Sequence, residues 1–182
     1  RPTACKSTVA RSAEAGMRIR EYATAMAAYN QWMNEKLYAT AGELTDAERK
    51  RDLGAFFKSI HGTLNHILLG DLWWMQRFHD EPLEKRALGD ELYADFAGLS
   101  AARRDMDEWI VTWAAGVTDA FADSELRFFS VTYGRERVLP HWAAIVQLFN
   151  HQTHHRGQAT TLLKQLGKDP GATDFPWMPY FD

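Results

Sequence analysis

Two histidines near the end of the sequence have a spacing that suits a metal ion. His151 and His155 are four residues apart, which separates them by only about 40° around a helix axis. An apolar stripe lies within about 60° of this pair by the same arithmetic, and its members are Ala144, Leu148, Ala159, Leu162 and Leu166. Two buried imidazoles on adjacent turns are hard to satisfy with ordinary hydrogen bonds, whereas one divalent ion binds both.

His66 is the best candidate for a third ligand, because a catalytic metal usually takes one from another element. It lies in the middle of another predicted helix, with Gly62 and Gly70 one turn on either side. Glycine inside a helix costs roughly 1 kcal/mol relative to alanine, so the two glycines indicate either a close helix approach or an open volume beside the ring. The open volume suits a metal with a vacant position. We predict one divalent ion on His66, His151 and His155; the alternative is three structural histidines.

Other motifs in the sequence do not fit known metal sites. A zincin needs glutamate directly after the first histidine of the pair, and Gln152 stands there. A ferritin-like site for two metals needs several inward carboxylates, and no glutamate precedes His151 or His155 by three residues. The remaining histidines are predicted to have structural or surface roles, and they are His61, His79, His141 and His154. Candidates to orient the ligands are Asn30, Asn34 and Gln158, and no general base stands out.

A site of this kind needs facing helices, and the apolar periodicity predicts four of them. They cover residues 17–44, 55–79, 91–117 and 140–166. Alternating segments on either side of Gly134 predict a β-hairpin between the third and fourth helices. Thr45 begins a capping-box sequence for a short extra turn, and the tail after Gly167 is expected to pack through Phe175, Trp177 and Tyr180. The predicted fold class is therefore all-α, a four-helix bundle with a short hairpin.

Composition narrows the choice of function and location. The 182 residues fit one domain, and 46% hydrophobic and 13% aromatic residues predict a real core. A net charge of -3 gives no basic face for nucleic acid, and no segment is long and apolar enough for a membrane helix. Cys5 is the only cysteine, which excludes an intrachain disulfide and a cysteine-ligated zinc site and fits the cytoplasm. Residues 1–16 have no apolar signal region and are predicted to be an extension outside the domain of residues 17–182.

Four stretches of the sequence form a specific combination by their order and spacing. They are His151-Gln-Thr-His-His-Arg-Gly-Gln158, Tyr29-Asn-Gln-Trp-Met-Asn-Glu35, Ser59-Ile-His-Gly-Thr-Leu-Asn-His66 and Asp71-Leu-Trp-Trp74. Over residues 17–167 the chain resembles the DinB/YfiT-like family. The resemblance implies an up-down-down-up four-helix bundle, commonly a homodimer, with a three-histidine site for nickel, zinc or iron. The family's first ligand falls on His66, and its paired ligands fall on His151 and His155.

The resemblance also bears on activity. Activities are known for some relatives, and these are mainly transferases or isomerases that use a low-molecular-weight thiol such as bacillithiol or mycothiol. A metal on three neutral imidazoles keeps its charge, lowers the pKa of bound water and favours a thiol in its thiolate form. The hypothesis is therefore metal-assisted attack by thiolate or hydroxide on a small electrophile, as in an S-transferase or a hydrolase. The alternative is a non-catalytic bundle that binds metal for storage or in a stress response.

A homodimer has support from the sequence as well. Trp142, Val146 and Phe149 form a second apolar stripe on the fourth helix, roughly opposite the histidines. The second helix is apolar nearly all round, although one bundle core needs only one of its faces. We predict that these faces contact a second copy of the chain. The alternative is that the hairpin and the tail around Trp177 cover them.

Overall fold

Four long helices account for most of the fold. A computed structural model describes residues 18–130 and 133–181. The long helices are α1 (Ile19–Gly42), α3 (Ile60–Phe78), α4 (Phe96–Ala115) and α6 (His141–Gln165), and the short ones are α2 (Asp46–Lys50) and α5 (Asp119–Asp123). An antiparallel hairpin of β1 (Glu125–Ser130) and β2 (Arg135–Pro140) precedes α6, and two 3-10 turns follow it, Phe175–Trp177 and Pro179–Phe181. The predicted extension, residues 1–16, lies outside the described residues.

Local caps explain where two of the helices begin. α3 begins at Ile60 rather than at residue 55, because the Ser59 side chain caps it and Lys58 takes a left-handed φ of 64°. α4 begins at Phe96 rather than at residue 91, because the Asp95 side chain caps its first turn. The periodicity thus predicted both helices correctly and placed their starts too early.

Contacts along three pairs of neighbouring helices define the topology. α1 runs antiparallel to α4, α3 runs antiparallel to α6, and α1 runs parallel to α6. The contacts that show this are Arg20 with Val117 and Tyr38 with Phe96, then His66 with His155 and Phe78 with His141, then Tyr22 with Phe149 and Asn30 with Arg156. The four long helices therefore run up, down, down and up in chain order, which confirms the predicted fold class.

The core lies between these four helices and is mostly aliphatic. Its fully buried side chains include Leu37, Ile60, Leu69, Leu99, Ile110 and Ile145. Burial of such side chains is the main driving force for the association of amphipathic helices. None of the helices that the structure describes has both the length and the apolar character needed to cross a bilayer.

The hairpin agrees with the prediction, whereas in the tail two of the three aromatic residues predicted to pack, Trp177 and Tyr180, are 71% and 53% exposed. Gly134 takes a φ of 61° in the hairpin turn. In the tail, Phe175 contacts the ring of Tyr29, but Trp177 is 71% exposed. Met178, the next residue, takes the buried position instead, at 3% exposure. The prediction that Trp177 packs on the bundle was therefore wrong.

Candidate metal centre

Three histidines from two helices meet at one point inside the bundle. His66 lies in the middle of α3, and His151 and His155 lie one turn apart on α6. The Nε2 atom of His66 is 3.2 Å from the Nε2 atoms of both His151 and His155. One nitrogen from each ring lies within 4.8 Å of the others, so the group can hold a metal ion. The structure thus brings together all three residues that were predicted as ligands.

Hydrogen bonds on the far side of two rings orient their free nitrogens. The Nδ1–H of His66 donates to the Leu88 carbonyl oxygen at 3.2 Å, and the Nδ1–H of His155 donates to Gln158 Oε1 at 2.7 Å. Because a neutral imidazole carries one N–H, each Nε2 presents its lone pair to the other rings. Gln158 is thus an orienting residue that the sequence suggested. Leu88 was missed, because it acts through a backbone carbonyl, which any residue could supply.

Burial keeps the three imidazoles neutral. Together with the other histidines nearby, it lowers the pKa of His66 to about 4 and that of His151 to about 3. Burial also lowers the pKa of His155, although the hydrogen bond to Gln158 acts in the opposite direction. At neutral pH the rings are therefore unprotonated, and their lone pairs are available to a cation.

Gly62 and Gly70 permit close contacts on either side of His66. A β-carbon at Gly70 would lie 2.5 Å from Cε1 of His151, so a side chain there would displace that ring. A β-carbon at Gly62 would collide with the carbonyl oxygen of Phe57, in the turn before α3. Close helix approach, one of the two predicted alternatives, is therefore correct at Gly70, where α6 packs on α3. Gly62 instead makes room for the turn before its own helix, and neither glycine provides an open volume beside His66.

A cavity of about 330 Å³ opens beside the three rings. Its other walls are Phe56, Phe57, Leu88, His154 and Gln158. The Phe57 ring stacks on His66, with 3.8 Å between centroids and 17° between planes. No carboxylate is among the described residues that line the cavity. The volume is at the small end of the range for ligand pockets, so it suits a small molecule.

Comparison with known proteins assigns the chain to a family. Residues 17–182 match the model of the DinB family. The chain belongs to the DinB family. It is 23% identical to Protein DinB of Bacillus subtilis (strain 168), over 85% of this chain and 92% of that protein. Its fold is similar to the crystal structure of a DinB-like protein from Bacillus cereus ATCC 10987, with a TM-score of 0.57 and 20% identity, over 78% of this chain and 90% of that chain.

Next to the histidines, this DinB family protein holds a buried polar network that the sequence analysis missed. Arg103 of α4 pairs with Asp71 of α3 at 2.5 Å and with Asp107 at 2.9 Å. Gln152 of α6 donates to Asp71 at 2.8 Å. Burial raises the pKa of Asp71 to about 6, against the opposing effect of Arg103. Burial lowers the pKa of Arg103, but the two aspartates raise it above its ordinary range, so Arg103 is charged at neutral pH.

Asn30 and Asn34 belong to this network and not to the histidines. Asn34 donates to Asp107 at 2.8 Å, and Asn30 accepts from Arg156, which also donates to Gln152 at 2.9 Å. Both asparagines were candidates to orient the metal ligands, and the structure corrects that expectation. Helix-face arithmetic gave their positions on α1, but it could not give the rotation of α1 relative to α6.

The other four histidines do not belong to the group of three, His66, His151 and His155, that can hold a metal ion. His61 is buried and its Nε2–H donates to the Tyr93 carbonyl oxygen at 2.9 Å. His141 begins α6 and packs on other aromatic rings of the core. His79 is exposed at the end of α3, and His154 is exposed at the wall of the cavity.

Proposed function

We propose that this protein is a metal-dependent enzyme in which His66, His151 and His155 hold one divalent ion. The convergence of three imidazole nitrogens, one from each ring, within 4.8 Å carries the proposal. Neutral imidazoles suit zinc, nickel and iron alike, so the ion is one of these. The proposed reaction joins a low-molecular-weight thiol, such as bacillithiol or mycothiol, to a small electrophilic substrate, or hydrolyses that substrate.

The residues present fit such an ion. The Nε2 atoms of His66 and His155 both lack a proton and lie 3.2 Å apart, so their lone pairs repel each other, and a cation between them removes that repulsion. Catalytic zinc sites use three protein ligands, whereas structural sites use four, and the described group has three. When bound, the ion would supply Lewis acidity, which lowers the pKa of a thiol or of water.

The chain's own residues orient this site and limit its contact with water. The Leu88 carbonyl and Gln158 hold the Nδ1 protons of His66 and His155, which fixes both rings. The Phe57 ring covers one face of His66. A small substrate would reach the histidines through the cavity of about 330 Å³ beside them.

One observation favours non-catalytic metal binding instead. Because no carboxylate lines the described walls of the cavity, proton transfer there would depend on His154 or on solvent. A bundle that binds metal for storage or in a stress response needs no such group. This function is therefore the second candidate.

Metal content, measured by mass spectrometry on tag-free protein, tests the ion. We expect about one equivalent in the wild type and a loss of the ion in His155→Ala. His154→Ala is the matched control, because it removes an exposed imidazole at the neighbouring position, and it should keep the ion. A wild type that takes up no zinc, nickel or iron would contradict the proposal.

Turnover by metal-replete protein separates the reaction classes. Chlorodinitrobenzene and nitrophenyl acetate serve as electrophiles, each with bacillithiol, with mycothiol and without thiol. Product that depends on a thiol supports the transferase, and product without thiol supports the hydrolase. No turnover under any of these conditions favours the non-catalytic candidate.

We also propose a homodimer located in the cytoplasm. Trp142 and Val146 on α6 are 48% and 40% exposed, which leaves an apolar face for a second copy. Phe149, predicted on the same face, is instead buried, because its ring packs on Tyr22 of α1. Sedimentation velocity at micromolar concentration should give a dimer, and Trp142→Lys should give a monomer. A monomeric wild type would contradict the proposal.

A further inference from the structure

A short turn before α3 places two aromatic rings at the cavity beside the three histidines. The Lys58 amide donates to the Ala55 carbonyl oxygen at 2.8 Å, so residues 55–58 form a hydrogen-bonded turn with Phe56 and Phe57 at its centre. Lys58 takes a φ of 64°, a conformation that is uncommon for a residue with a side chain. Such local strain clusters at functional sites, where the surrounding structure maintains it.

Phe57 connects this turn to two of the candidate ligands. Its ring stacks on His66 at 3.8 Å and meets His155 edge-on, with 5.6 Å between centroids and 68° between planes. Its carbonyl oxygen would lie 2.3 Å from a β-carbon at position 62, and Gly62 leaves space for it. The position of the Phe57 ring relative to the histidines is therefore fixed by both backbone and side-chain contacts.

Phe56 has no comparable structural role. Its side chain is 78% exposed, and its ring meets the edge of Phe57 at 4.8 Å and 75°. A large apolar ring that stays in water contributes little to folding. Phe56 nevertheless borders the cavity beside the histidines. None of the described residues that line this cavity is an aspartate, glutamate, lysine or arginine. An exposed apolar ring beside such a cavity is available to a ligand.

We propose that Phe56 and Phe57 form an aromatic wall that receives the apolar group of the substrate, while its reacting atom lies at the three histidines. The substrate class is a small molecule with an aryl or branched aliphatic group close to the reacting atom. Rings at edge-to-face or offset-stacked distances gain affinity beyond that of simple burial. This inference rests on the proposed metal site, and it specifies the apolar group as the part of the substrate that the chain recognises.

Cobalt-substituted protein and two thiols of similar acidity test the wall. Mercaptoethanol and phenylmethanethiol are titrated separately, and binding is followed by the visible absorption of cobalt. The ratio of their dissociation constants reports the contribution of the phenyl group. We expect the wild type to prefer phenylmethanethiol and Phe56→Ala to reduce that preference about fivefold. Phe56→Tyr should restore it.

Phe129→Ala is the matched control, because Phe129 is also an exposed phenylalanine, at 55%, and lies on the hairpin. It should leave the ratio as in the wild type. A ratio that is unchanged in Phe56→Ala, with cobalt bound, overturns the aromatic wall and leaves the metal site standing. Absence of a cobalt spectrum in the wild type overturns the metal site, and the inference with it.

Discussion

At the scale of single residues, Gly70 determines how closely His151 can approach α3. A β-carbon at this position would lie 2.5 Å from Cε1 of His151. We expect Gly70→Ala to displace that ring and to weaken zinc binding at least about tenfold, the usual cost of losing a group that positions a ligand. Competition with a chromophoric chelator measures the affinity.

Gly157→Ala provides the control for helix propensity. Gly157 lies on α6, is exposed, and has no atom within 4 Å of an added β-carbon. The substitution should keep the zinc affinity and stabilise the fold by up to about 1 kcal/mol. Unchanged affinity in Gly70→Ala as well would show that His151 can bind metal from another position.

The depressed pKa values of the histidines predict how pH affects metal-free protein. The pKa is about 4 for His66 and about 3 for His151 in the folded chain, and about 6.5 for an unperturbed histidine. Below pH 6.5 or so the unfolded chain therefore binds protons that the folded chain does not. We expect the free energy of unfolding to fall as the pH drops from about 6.5 towards 4. Urea unfolding with chelator present measures it.

Burial also raises the pKa of Asp71, to about 6, and that of Asp107, so a variant is needed to isolate the histidines. His66→Leu with His151→Leu keeps Asp71 and Asp107 and removes both depressed pKa values. Between about pH 6.5 and pH 4, the free energy of unfolding should decrease less in this variant than in the wild type. Equal slopes in the two proteins would contradict the prediction.

At the scale of helices, the buried network joins all four long elements. Asp71 lies on α3, Arg103 and Asp107 on α4, Gln152 on α6 and Asn34 on α1. Replacing one partner leaves the other charge buried and only partly compensated. We expect Asp71→Leu to destabilise the fold by about 3–5 kcal/mol, as measured by urea unfolding at pH 7.5 or so.

An exposed ion pair is the comparison for this effect. Lys168 and Glu43 are 2.8 Å apart at the surface. Glu43→Gln should cost no more than about 1 kcal/mol, because solvent screens exposed pairs. If Asp71→Leu lowers the free energy of unfolding by no more than this, Asp107 alone is enough to compensate the buried charge of Arg103.

Periodicity could predict the helices and the histidine centre but not the network. His151 and His155 were recognisable because they interrupt an apolar stripe at helical spacing. Arg103 and Asp107 have the same i,i+4 spacing, but a charged pair of this kind is ordinarily a solvated surface feature. Its burial depends on the rotation of α4 against α3, which the sequence of one helix does not specify.

At the scale of the whole molecule, metal binding should be coupled to folding. His66 is separated by 85 residues from His151 and by 89 residues from His155. The unfolded chain therefore has no preformed three-ligand site, and an ion would stabilise only the folded bundle. This linkage increases the free energy of unfolding by about 2.7 kcal/mol when the free metal concentration is a hundredfold above the dissociation constant of the metal.

For a chain of this length, that linkage raises the unfolding midpoint by roughly 5–10 °C. Circular dichroism melting with and without zinc measures the change, and chelator should reverse it. His155→Ala should show no comparable shift, whereas His154→Ala should respond as the wild type does. Equal shifts in both variants would place the stabilising ion away from the three histidines. If zinc fails to raise the midpoint only in His155→Ala, the ion stabilises the fold at the three histidines. Because α3 and α6 supply every proposed ligand, metal binding would then stabilise the contact between these two helices.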